Sequence, residues 1–171
     1  SLVRSGGEEI KVSGTKIPGI ELKDTAVTGN GRMLIEFLDE EELSIIEHTR
    51  IYIDEAYYDP DPSKSKMAIR MVQGTARFSS GRGKRINKSN VQLSTPTAEI
   101  AILGTDFTTT IDEIGQSLII LLPDEKTGLS SGKIIISNAG GTVTLEEAYQ
   151  ASIISSYDRA PSSPVVLSGI D

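Results

Sequence analysis

The chain has no cysteine and no tryptophan, and aromatic residues make up only 5% of its 171 positions. Without cysteine there are no disulfides and no thiolate metal sites, and the redox compartment stays open. With so few aromatics, a core must be packed from Ile, Leu, Val and Ala, which implies thin layers. A cationic surplus is also missing. The formal net charge is −7, which argues against general binding to a nucleic-acid backbone. Long apolar runs are absent too. The longest, Leu118 to Leu122, falls far short of the roughly 20 residues that span a bilayer. The opening "SLVRSGGEEI" has no apolar stretch of the signal-peptide kind. The expectation is a chain with no membrane span, no nucleic-acid partner and no bound cofactor.

What is present is strand pattern. "RMLIEFL" (32–38), "LSIIE" (43–47) and "RIYIDE" (50–55) mix β-branched and apolar residues with polar ones near a period of two. "MAIRMVQG" (67–74) and "TARFSSG" (75–81) read as two strands, each closed by a glycine. "VQLST", "AEIAIL", "DFTTTIDE", "SLIILL", "GKIIIS" and "GTVTL" follow, mostly separated by Gly or Pro. Short strands at such spacing indicate an all-β fold. "LEEAYQASII" (145–154) is the one helix competitor. Glu146, Glu147, Ala148 and Gln150 favour a helix, but Tyr149, Ile153 and Ile154 tip the reading to strand. The length fits one domain over 1–160. An extended Pro/Ser-rich tail occupies 161–171. In that tail Pro164, Val165, Val166 and Leu167 form a strand-like segment able to join an exposed sheet edge, in its own domain or in a neighbour.

Gly-Thr recurs at 14–15, 74–75, 104–105 and 141–142. The irregular spacing suggests hairpins of similar shape and no clean repeat. Thr105 followed by Asp106 raises the question of a nucleophile beside its acid. Neighbours on a strand point to opposite faces, so the pair reads as a structural corner in which Gly104 allows the bend. His48 is the only histidine and sits in a turn, with no nucleophile beside it in sequence. The acidic "DEAYYDPDP" (54–62) lacks the glycine and the closing glutamate of a calcium loop. "GRGKRINK" (81–88) gathers Arg82, Lys84, Arg85 and Lys88 in an otherwise acidic chain, without a phosphate-loop pattern or interleaved aromatics. It reads as a solvated loop or a docking patch for an acidic neighbour. Such a neighbour could be another copy, through its 39–42 acidic turn.

Taken together, several motifs resemble the FecR domain family. They are Thr28-Gly29, the acidic turn at Asp39, and Gly74 with Phe78 in "GTARF". Thr95-Pro96 with Ala98, and Gly104-Thr105-Asp106-Phe107, complete the set. The resemblance covers about residues 5 to 160. Two departures stand out: Leu103 where the family often has arginine, and the inserted "PDEKTGLSSG" at 123–132. The resemblance implies a solenoid-like β-sandwich without catalytic chemistry, found in sensors of iron-uptake signalling and in virion proteins.

The resulting expectation is a non-enzymatic structural subunit, most concretely a bacteriophage tail or baseplate component located in the virion. Its partners would be other protein subunits, including copies of itself. The alternative is the periplasmic sensor domain of a FecR-like transmembrane anti-sigma protein. A carbohydrate-binding module is the third reading, and only Tyr57 and Tyr58 offer it an aromatic platform.

Overall fold

The period-two segments do form strands. The computed structural model describes residues 1–14, 19–38, 40–80 and 86–167. Three short strands open the chain: β1 (Leu2–Val3), β2 (Glu9–Ile10) and β3 (Thr25–Val27). Then come β4 (Met33–Glu36), β5 (Glu42–Ile45), β6 (Arg50–Tyr57) and the long β7 (Lys66–Ser79). β8 (Val91–Ser94), β9 (Glu99–Leu103), β10 (Asp106–Ile111) and β11 (Ser117–Leu121) follow. β12 (Lys133–Asn138), β13 (Gly141–Leu145), β14 (Gln150–Ile154) and β15 (Val165–Val166) complete the set. The fold is all-β and its sheet is open.

β7 joins two halves of that sheet. Its first half pairs with β6 on one side and, in parallel, with β8 on the other. Its second half pairs with β5 and β10. The first half-sheet runs β2-β1-β3-β6-β7-β8-β9-β12-β13, and the second runs β4-β5-β7-β10-β11-β14-β15. Gly74 is the crossing point. Two strands split at this glycine were expected; a single 14-residue strand is found. The reason is local. Gly74 has φ +94, a left-handed conformation that glycine alone adopts cheaply. The strand therefore bends while Gly74 stays paired with Ile111. Burial alternation slips by one residue there: Met67, Ile69 and Met71 point inward before it, Ala76 and Phe78 after it.

The strands then alternate between halves. β8 and β9 belong to the first, β10 and β11 to the second, β12 and β13 to the first, β14 and β15 to the second. Inward residues of both halves make one core cluster, including Ile51, Leu93, Ile100, Leu121 and Ile136. The segment 145–154 resolves into the end of β13, a turn and β14, so its second half is strand as expected. Tyr149 carries the turn at φ +64.

Candidate functional site

The motif residues meet at the seam between the half-sheets. Phe78 and Phe107 lie directly opposite each other on β7 and β10. Their ring centroids are 5.7 Å apart, and both side chains are fully buried. They are the largest fully buried side chains among the described residues, so this aromatic pair anchors the core. Beside Gly74, Thr49 Oγ1 donates to the Thr75 carbonyl and accepts from the Thr75 amide, at 3.2 and 3.1 Å. The Thr28 hydroxyl accepts from the Thr49 amide at 2.9 Å. A Cβ on Gly74 would lie 2.6 Å from the Thr49 Cα, so this close approach also excludes any side chain.

Thr95 and Pro96 open the β8–β9 turn. Thr95 Oγ1 accepts from the amides of Thr97 and Ala98. Thr97 Oγ1 lies 2.7 Å from Ser117 Oγ, and Ser117 Oγ donates to Thr95 Oγ1 at 2.9 Å. These three buried hydroxyls therefore fasten a turn of the first half-sheet to the start of β11 in the second. Buried hydroxyls are tolerated because each finds a partner.

Gly104 and Thr105 carry the chain from β9 to β10 across the two halves, with Gly104 at φ +69. The Thr105 hydroxyl meets Ser131 Oγ at 2.9 Å, and its other contact is the main-chain oxygen of Asp106. Neither is a base. Asp106 points elsewhere: its carboxylate accepts from the Ser80 amide and lies 3.7 Å from Arg77 Nη2. Burial pushes the Asp106 carboxyl above its usual range, against the pull of Ser80 and Arg77. Ser131 comes from the inserted 123–132 loop and donates to the Leu122 carbonyl at 2.6 Å. The insertion is thus folded back onto the Gly104 corner. Arg77 reaches from the sheet to Glu125 of the same loop at 3.3 Å.

Of the basic residues singled out, Arg82, Lys84 and Arg85 lie outside the described residues, as does Asp39. Lys88 is described, and its Nζ lies 3.7 Å from Glu41 of the same chain. Glu41 is fully buried, so this contact of the basic loop is made within the molecule. His48 is exposed in a left-handed turn. Asp59 and Asp61 accept from main-chain amides of Asp61 and Ser63, and Asp54 pairs with Arg70. Among the described residues no group of three or more His, Asp or Glu is placed to hold a metal ion. The tail segment Pro164–Leu167 lies at the edge of its own sheet. Val165 and Val166 pair with Ala151 and Gln150, and the Leu167 amide donates to the Tyr149 carbonyl.

A larger cleft than any around the motif residues described above lies beside β4. It holds about 990 Å³, the upper end of the roughly 300–1,000 Å³ usual for ligand clefts. Residues 32–38 line one wall in unbroken succession. The other wall includes Val12, Ile20, Leu22, Val27, Ala56 and Tyr58. Leu22, Leu34 and Leu38 are 55%, 52% and 68% exposed on its rim. Sequence reasoning missed this site, although "RMLIEFL" holds its signal. Met33, Leu34 and Ile35 put apolar groups on both faces of one short strand, and Phe37 and Leu38 follow at its end, which a half-buried strand does not need.

With this geometry in hand, comparison with known proteins is informative. A family model described as FecR protein matches residues 24–122, which include Gly74, the Phe78–Phe107 pair, the Thr95 turn and the β4 rim. A search of curated proteins returns no match. Two crystal structures of a candidate anti-sigma factor from Parabacteroides distasonis share the fold. Each has a TM-score of 0.58 and 14% identity, and the match covers 81% of this chain and 57% of that one. The chain thus spans little more than half the length of that solved relative. Neither comparison supports a virion, tail or baseplate role.

Proposed function

Because the chain belongs to the FecR protein family, we propose that it is a non-enzymatic sensor domain of a transmembrane signalling protein of the anti-sigma kind, working on the periplasmic side. The observation that carries this reading is the family match over residues 24–122, more than half of the chain. The shared fold of a candidate anti-sigma factor supports it as well. So does the character of the motif residues. Phe78, Phe107, Thr95, Thr97 and Gly74 are all occupied in packing and cross-sheet hydrogen bonds. A scaffold of this kind acts through surfaces that it holds in place.

In its finer architecture the domain is a solenoid-like β-sandwich. Hairpins alternate between two half-sheets, and β7 passes from one to the other. This geometry leaves strand edges and loops as the points of contact with protein partners, and the signalling reading replaces the virion expectation. The test is made in the native cell. Deleting residues 24–122 from the full-length protein should change transcription of one sigma-factor regulon severalfold, and fractionation should find the domain with periplasmic markers. An unchanged transcript profile, or cytoplasmic fractionation of the domain, overturns the reading.

A further inference from the structure

We propose that the cleft beside β4 binds an extended segment of a partner protein, with alternating apolar residues and a cationic flank, as an added strand. Three observations carry the proposal. The first is the lining itself. Consecutive strand residues point to opposite faces, yet all four residues of β4, Met33 to Glu36, border the same cleft, and Arg32, Phe37 and Leu38 beside the strand border it too. An open strand edge brings both faces and the main chain to one cleft. Among the described residues β4 pairs with β5 alone, so its other edge offers amides and carbonyls to an incoming strand.

The second observation is the apolar surface on that edge. Leu34 and Leu38 are more than half exposed on β4 and just beyond it, and Leu22 stands across the cleft. Met33 and Phe37 pack on the core beneath, and Ile35 is fully buried. An added strand with apolar groups at alternate positions would cover both sets.

The third observation is charge. Glu36 and Glu42 face each other directly across β4 and β5. Both are exposed, and no ion pair to either is found among the described residues. Like charges directly opposite on a sheet destabilise it. Arg32, the cationic side chain among the described lining residues, is held by Glu47 at 3.3 Å. A lysine or arginine arriving beside Glu36 would supply the missing positive charge, which selects a cationic flank over an acidic one.

The proposal rests on the partner-holding role proposed above, but its readout is binding by the isolated chain, so the two can fail separately. The probe is a synthetic peptide of alternating valine and threonine flanked by lysines, with a glutamate-flanked twin. Titrated into the isotope-labelled chain, the lysine-flanked peptide should bind saturably, at least about tenfold tighter than its twin. It should protect the amides of residues 33–37 from hydrogen exchange. Leu34→Glu should weaken binding by about tenfold or more, and Glu36→Lys should reverse the preference between the twins. Both side chains are exposed, so an unchanged melting temperature verifies that each variant is folded. The proposal is overturned by no saturable binding, by equal affinity for the twins, or by protection at Val165–Val166 instead. Sedimentation showing that the chain dimerises through Leu34 would overturn it as well, by making a second copy the occupant.

Discussion

The β7–β10 seam and the β4 rim both belong to strands of the second half-sheet, and they differ sharply in burial. At the seam every apolar group is buried and the Thr95, Thr97 and Ser117 hydroxyls have partners. At the rim, Leu34 and Leu38 stand in water beside an unpaired strand edge. The seam lies between neighbouring strands on both sides, and among the described residues the rim has a neighbour on one side only. What separates the buried seam from the exposed rim is therefore the number of strand neighbours among the described residues.

The contrast can be broken most forcefully at the aromatic pair. Phe107→Ala should cost about 3–5 kcal/mol by chemical denaturation, because it leaves a cavity beside Phe78 in the core. Leu34→Ala, at the rim, should stay within about 0.5 kcal/mol. Next comes Gly74→Ala, which forces both a left-handed alanine and a collision with the Thr49 main chain. A loss of roughly 2–4 kcal/mol is expected. Gly31→Ala, facing open space on the cleft side, provides the neutral counterpart. A Gly74→Ala protein as stable as the parent would remove the argument that this residue is the crossing point.

Ser117→Ala should come third. It strips the shared partner from Thr95 and Thr97 and should cost about 1–2 kcal/mol. The double variant with Thr97→Val should recover part of the loss, since the remaining hydroxyl of the three, on Thr95, keeps the amides of residues 97 and 98 as partners. The smallest effect concerns pH. Burial raises the Asp106 carboxyl above its unfolded value, so the folded state holds that proton more tightly. Its contribution to stability is then present at low pH and is lost as pH rises from the usual carboxylate range through the raised folded value. Asp106→Asn should remove that slope. The measurement is the difference between parent and variant in urea midpoint across the acid range. The difference isolates Asp106 from Asp61 and Asp124, whose lowered values act in the opposite sense. Parallel curves would show that Asp106 does not titrate differently on folding.

Much of the scaffold could be read from sequence. Alternation located β4 to β6 and β8 to β14, because half-buried strands impose a period of two on any chain. The motif residues Gly74, Phe78, Thr95, Gly104 and Phe107 stood out through the family resemblance, and the structure supplies a physical reason for each. A left-handed crossing, a buried ring and a hydroxyl-rich turn each admit few alternatives. Other features were not legible. β1, β2 and β3 are only two or three residues long, too short for any periodicity to register. The split at Gly74 was misplaced because a glycine marks a bend in sequence without saying whether pairing continues through it. The tail was read as able to pair with its own domain or with a neighbour, and composition could not choose. Burial of Pro161 and the Ser152–Ser162 contact settle its place beside β14.

The sequence alone determined that this chain is built of strands and that its core is mostly aliphatic, and it marked the glycines and threonines at which the chain turns. Those are local properties, written in side-chain period and backbone freedom. Only the tertiary structure decided that β7 serves both half-sheets, that Lys88 is paired with Glu41, and that β4 is left with one open edge above an apolar cleft. Each of these depends on which distant segments become neighbours. Pairing between strands is a long-range choice, made by the whole core at once and recorded in no single stretch of sequence.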